Sequence, residues 1–291
     1  MFYIKQHLPV LGRDVKYREL TNSQYFTLLK YLSNSDKQGI VDCFDIILRE
    51  NLLDSYEDLT CIDKFLILLD IRSICVGDSI ELRLETAGSA KLSLISIIES
   101  IKDKISKKKL SSTFNLSSDI TINLKLPKEM MLTEVDKVID SAIHNIIIGN
   151  QVYKIENFNE QEKNDFFQSL PANVYKQIID FIEHIQQELK DICIVNRNEM
   201  LGIQEIPLNV FDGTLFAVLR TLYGEDLMGF YELQYSMIKK IGISYEHFME
   251  MTPNESKLFI NLYNRDIKQQ EEASKKQNNS YMGDIPPFAH L

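Results

Sequence analysis

The chain is 291 residues long, 44% hydrophobic and 25% charged, values that suit a globular protein and exclude wholesale disorder. Its 32 Lys and Arg against 42 Asp and Glu leave a net charge of −10. That argues against a general nucleic-acid binder, because phosphate binding rests on basic side chains.

The densest apolar run, Phe65-Leu66-Ile67-Leu68-Leu69, stops at Asp70, short of the roughly 20 residues a bilayer demands. The opening residues, Met1 to His7, lack the basic start and apolar core of a secretory signal, so the chain is expected to stay in the cytosol that made it. In that setting Cys43, Cys61, Cys75 and Cys193 read as reduced thiols, buried as small hydrophobes. Acidity is concentrated: residues 151–250 hold 8 basic and 16 acidic groups, whereas residues 1–150 hold 19 and 21. Such a segment should turn away acidic partners.

In chain order, a brief extended start leads to a capping box, Thr21-Asn22-Ser23-Gln24, and a helix carrying Tyr25, Leu28, Leu29 and Leu32 on one face. Val41, Phe44, Ile47 and Leu48 mark a second helix. Thr60 opens a third, with Asp63 in its first turn and Gly77 as its stop. Alternation at Ile80, Leu82 and Leu84 predicts a strand, and Lys91 to Leu94 a short second one. A helix over Ile95 to Ile105 ends in Lys107-Lys108-Lys109. Another alternating run occupies Phe114 to Leu126; a helix is expected at about 133–147, then a small sheet segment at Val152 to Ile155.

From Asn159 the pattern is helical. Asn159 and Glu162 start one helix, Leu170-Pro171 breaks it, and Val174, Ile178, Phe181, Ile182 and Ile185 stripe the next. Residues 196–210 read as a loop with a short strand at 203–206. Two helices follow, around Phe211–Tyr223 and Glu225–Ile241. Thr252-Pro253-Asn254-Glu255 opens a last helix to about Ser274, and residues 275–291 read as a flexible tail.

Catalytic signatures are scarce. The chain has no glycine-rich phosphate loop, nucleophile elbow or paired-histidine zinc helix. His184 and Glu188 sit four apart, which reads as an exposed helix contact. Cys61 and Cys75 share one helix about 20 Å apart, too far to share a metal. Asp63, Asp70 and Arg72 read as an ion network on an apolar helix. Lys102, Lys104, Lys107, Lys108 and Lys109 form a basic cluster without interleaved aromatics. Leu227 to Ile238 is apolar on more than one side, and aromatic and Met side chains favour interfaces. Phe230, Tyr231 and Tyr235 are the candidate partner-binding anchors.

Four stretches then converge. They are Leu8-Pro9 and Gly12 leading into Tyr17-Arg18-Glu19-Leu20-Thr21; Leu59 to Arg72 and on to Val76-Gly77-Asp78; the acidic stretch Phe158 to Ile182; and Leu227 to Tyr235 with Ile243-Ser244-Tyr245-Glu246 and Met251 to Glu255. Together they resemble the T4-type bacteriophage baseplate proteins of the hub and hub-assembly class. The resemblance implies a non-enzymatic protein with no catalytic residues, no metal and no cofactor. Relatives with cysteines near the strand pair after Gly77 differ from this chain, where Glu85 to Ala90 has none. The implied partners are other baseplate and tail hub proteins or a second copy of the chain, not a membrane or nucleic acid. The implied place is the host cytoplasm during virion assembly, with retention in the tail baseplate left open. The alternatives are an enzyme without familiar motifs, such as one built on His144 and Asp70, and a nucleic-acid-associated factor using Lys102–Lys109.

The expected fold is α+β, predominantly helical, with a small antiparallel sheet in the N-terminal half. The expected regions are 1–155, mixed α/β; 156–274, helical; and the tail.

Overall fold

The computed structural model describes residues 3–34, 36–84, 88–129, 135–190, 193–195, 206–207, 220, 222–223 and 227–282. The extended start is a hairpin, β1 (Ile4–Leu8) against β2 (Arg13–Tyr17), with Gln6, Leu8, Val15 and Tyr17 turned inward. Its turn contains Gly12 at φ 70°, a conformation that costs a residue without a Cβ little.

The helix α1 (Asn22–Asn34) starts where the capping box predicts, and it buries Tyr25, Leu28, Leu29 and Leu32. The Thr21 and Gln24 backbone N–H groups donate to each other's side chains at 3.1 and 3.2 Å. After α2 (Lys37–Asn51) comes α3 (Cys61–Cys75), capped by Thr60 and Asp63. Twelve of the 15 residues of α3 are buried, so it is the central helix rather than an amphipathic one.

The hairpin β3 (Ser79–Leu84) and β4 (Gly88–Ser93) leads into α4 (Leu94–Ser106). Next comes a four-stranded antiparallel sheet in the order β5 (Ser111–Asn115), β6 (Ile120–Lys125), β7 (Ile143–Ile148), β8 (Gln151–Tyr153). The alternating run at 114–126 is therefore the end of one strand and the whole of the next. The helix expected at 133–147 is a correction. Its helical part, α5 (Val135–Ala142), stops early, and Ile143 to Ile148 pairs with β6 instead. Four of those six residues are Ile, whose branched side chains favour a pleated surface.

The β6–β7 register contains a bulge. Asn123 faces Asn145 and Leu124 faces Ile143, leaving His144 with no opposite residue. The extra residue lets Ile143 and Ile146, three apart, both point into the core.

Asn159 and Glu162 cap α6 (Glu160–Ser169), and Leu170-Pro171 separates it from α7 (Ala172–Lys190) as expected. Beyond β9 (Cys193–Val195) and β10 (Ile206–Pro207), most of the expected 211–223 helix lies outside the described residues. The next helix, α8 (Leu227–Ser236), passes into a π-helical turn, Met237–Ile241, closed by Gly242 at φ 84°. A short α9 (Tyr245–Glu250), absent from the sequence reading, is capped by Ser244. The last helix, α10 (Pro253–Met282), runs past the expected end at Ser274, so 275–282 is helical; residues 283–291 lie outside the described residues.

One buried cluster reaches from Leu8 through α3 to Phe248 and Met251. The C-terminal segments join it at specific points. The Tyr223 hydroxyl donates to the Leu68 carbonyl, Arg72 Nε to the Leu222 carbonyl and Lys257 Nζ to the Val76 carbonyl. At the start of α1, buried Asn22 donates its side-chain amide to the Phe248 carbonyl and to Ser256 Oγ, both at 2.7 Å. Its backbone N–H donates to the Met251 carbonyl at 2.7 Å. The first backbone N–H of one helix thus meets a free carbonyl at the end of another, which satisfies both.

Asn22→Ala should cost about 1–3 kcal/mol, the penalty for stranding buried polar partners. Limited proteolysis of the intact chain should then cut 227–282 before the N-terminal half. A second test concerns Glu19, whose Oε2 is buried without a hydrogen-bond partner among the described residues. Burial, and then the nearby Glu255, push its pKa up. The folded chain therefore holds this proton more tightly than the unfolded one. That contribution is full below the ordinary glutamate value of 4.5 and is lost as pH rises through the folded value. Glu19→Gln should raise the melting midpoint at neutral pH, and the gain should vanish below about pH 4.5.

Candidate functional site

The charged residues of α3 are held in structural bonds. The Asp63 carboxylate accepts from Thr60 Oγ at 2.7 Å and from the Thr60 backbone N–H at 3.1 Å. Buried Lys64 lies 3.4 Å from Asp45 and 4.3 Å from the centre of the Tyr56 ring. The Tyr17 hydroxyl donates to Asp70, and Arg72 donates to the Gly77 and Leu222 carbonyls. Burial pushes the Tyr17 hydroxyl pKa far up, and Asp70 adds to the shift. Asp70 and His144 are not brought together: Tyr17 bonds Asp70, whereas Lys125, Lys128, Lys154 and Glu156 act on His144.

The cysteines behave as buried hydrophobes where they are described. Cys43, Cys61 and Cys75 are free and buried. Burial pushes the Cys43 thiol up to about 11 and the Cys75 thiol to about 12. Among the described residues, no three His, Cys, Asp or Glu side chains gather as a metal set.

The lysine cluster of α4 is partly neutralised. Lys107 pairs with Asp103 at 2.6 Å, and Lys108 reaches Glu188 of α7 at 2.6 Å. Burial lowers the Lys102 pKa. Glu188 therefore serves Lys108, and the pairing leaves less free charge than the sequence run suggests.

The three candidate anchors on α8 separate. Phe230 is 5% exposed, with its ring stacked on Phe26 at 5.0 Å and tilted against Phe248 at 5.7 Å. It is a core side chain that docks α8 onto α1. Tyr231 and Tyr235 are 43% and 62% exposed, beside Glu232, Ser236 and Lys240 in a shallow depression. Met228, at 61%, is also exposed. On α10, Leu258, Phe259 and Leu262 face solvent as well. Those three escaped the sequence reading, because an apolar pattern does not tell which members are covered.

A groove of about 430 Å³ lies where α1, α8 and α10 meet, lined by Tyr25, Leu29, Phe230, Leu233 and Lys257. Two further cavities, of about 300 and 100 Å³, lie beside α5 and α6 and share Asp140 and Lys163. The smaller holds Lys125, Lys128 and His144. These residues come from separate elements, so no local run of sequence displays the site.

No curated protein and no solved structure matches the chain. Residues 1–198 match the sequence model of a family described as T4 bacteriophage base plate protein. The matched region holds three of the four resembling stretches; the fourth, Leu227 to Glu255, lies beyond it. With well over half of its length matched, the chain belongs to the T4 bacteriophage base plate protein family.

Proposed function

We propose that this chain serves in the baseplate hub or in its assembly, as a non-enzymatic protein that acts by contact with other tail proteins. Family membership supplies the baseplate setting. The observation that carries the finer reading is the set of solvent-facing apolar side chains on two C-terminal helices: Met228, Tyr231 and Tyr235 on α8, and Leu258, Phe259 and Leu262 on α10. Large aromatic side chains supply most of the energy in protein interfaces, and the charged residues around them steer encounter. The acidic stretch 151–190 is a second contact region, suited to basic partners. Such a protein works in the host cytoplasm while virions assemble, and a hub component would remain in the finished tail.

Tyr231 and Tyr235 are the proposed anchors, and Phe230 supports them from beneath. The double substitution Tyr231→Ala with Tyr235→Ala should reduce co-purification of tail hub proteins from infected cells by about tenfold or more. It should lower stability by only about 0.5–1.5 kcal/mol, the worth of the edge-on contact of the Tyr231 ring with Phe26 at 5.4 Å, because both side chains are otherwise exposed. Phe230→Ala should instead destabilise the chain itself by about 3–5 kcal/mol, a core-truncation cost. Recovery of the wild-type chain alone at gentle salt would sink the hub reading. Its presence in purified particles, set against lysate, separates a resident component from an assembly factor.

A further inference from the structure

The outer face of α8 is ordered from end to end. Its inner stripe, Phe230, Leu233 and Met237, packs on the core. On the opposite side Met228, Tyr231 and Tyr235 are exposed, at the spacing of one helical stripe. Exposed Glu232 lies toward the start of this face, and exposed Lys239 and Lys240 lie at its end, two turns on. None of those three charges makes an ion pair among the described residues. The π-helical turn Met237–Ile241 sets Lys240 in one shallow depression with Tyr231, Glu232, Tyr235 and Ser236.

That order selects among partners. A nucleic acid or an anionic membrane would suit the lysines but meet Glu232 on the same face, and exposed Glu246 and Glu250 on α9. A strongly acidic or strongly basic protein would find one end attractive and the other repulsive. A helix with the same order of charges, running the opposite way, matches both ends at once, and this chain carries that helix itself. About a two-fold axis between Tyr235 and Ser236, Glu232 of each copy comes opposite Lys239 of the other, and Tyr231 comes opposite the aliphatic stem of Lys240. The two Tyr235 rings meet at the axis. The helix dipoles then run antiparallel. A parallel pair would set Glu232 on Glu232 and lysine on lysine, so charge fixes the orientation as well as the partner.

We propose that α8 pairs antiparallel with α8 of a second copy of this chain, through two Glu232–Lys239 contacts around a tyrosine centre. One pair of short helices buries less than the roughly 1,200 Å² of a standard interface, so the dimer is reversible and forms at micromolar concentration. The inference rests on the proposed contact role of α8 and deepens it by naming the partner. Paired chains offer two α10 surfaces to the rest of the tail, so losing the pair also loosens that grip.

The test is sedimentation equilibrium of the purified full chain. Wild-type mass should rise with concentration toward twice that of one chain. Tyr235→Ala should weaken pairing by about tenfold or more. Glu232→Lys makes the charges of this face all positive, and Lys239→Glu with Lys240→Glu makes them all negative. Each of these variants alone should stay monomeric over the range in which the wild type pairs. An equal mixture of the two should pair again, which a fold damaged by either change would not allow. The proposal is overturned if the wild type is monomeric throughout, if the swapped chains still pair with themselves, or if the mixture stays monomeric. Tail proteins are scored separately. A dimer that recovers none of them sinks the hub reading and leaves the pair standing, whereas a strictly monomeric chain that recovers them sinks the pair alone.

Discussion

A helix buried on nearly every side sets the terms for this fold. The central helix α3 has almost no water-facing stripe, so each charged group on it needs a particular partner. Thr60 and Gly77, at the two ends of the helix, serve Asp63 and Arg72, and the remaining partners come from across the chain: Asp45 and the Tyr56 ring for Lys64, Tyr17 for Asp70, Leu222 for Arg72. Apolar burial is non-directional and would tolerate sliding of one element over another. The long-range polar bonds are directional, and each works at one register only. The apolar surface of α3 thus supplies the drive to collapse, and its few polar groups select the arrangement.

Local chemistry was legible in the sequence wherever it stayed local. Thr21 with Gln24, Thr60 with Asp63, Asn159 with Glu162 and Thr252 with Glu255 all form the reciprocal caps that their spacing announces. The strand β7 was misread because an Ile-rich run suits helix and strand alike, and pairing with β6 decided between them. The last helix was underestimated because its polar Gln, Asn and Lys residues carry no stop, and the first glycine comes only at Gly283. Phe230 and Tyr231 are neighbours in sequence with opposite fates, set by where α1 lies. The cavity beside His144 was invisible for the same reason: Lys125, Lys128 and Lys163 and the carboxylates of Glu129, Asp140 and Glu156 converge only once the sheet and α6 are in place.

The family-matched region ends at residue 198, yet the buried core does not. Tyr223 and Phe248 are fully buried, and Phe44 and Phe230 are their respective ring partners. Residues beyond the match therefore complete a shared interior rather than hang from it. The surfaces offered outward differ in character. The C-terminal helices present aromatic and aliphatic side chains, whereas the sheet and α6 present charge of both signs. A protein that meets several neighbours in one assembly gains from such contrast, because each surface penalises the wrong partner.

The geometry of α10 has a mechanical side. Its first turns are fastened, with Ser256 buried and Lys257 bonded to the Val76 carbonyl, but every residue from Asn264 to Lys275 is exposed. Thirty helical residues at about 1.5 Å each span about 45 Å, more than the width of a small domain. The exposed stretch is a rigid arm whose length and rotational phase are written in residue count. Inserting four residues there would push its far end about 6 Å outward and turn it by about 40°. A partner that gripped that end would have to move with it, and the residue count of the helix would then set its distance from the body.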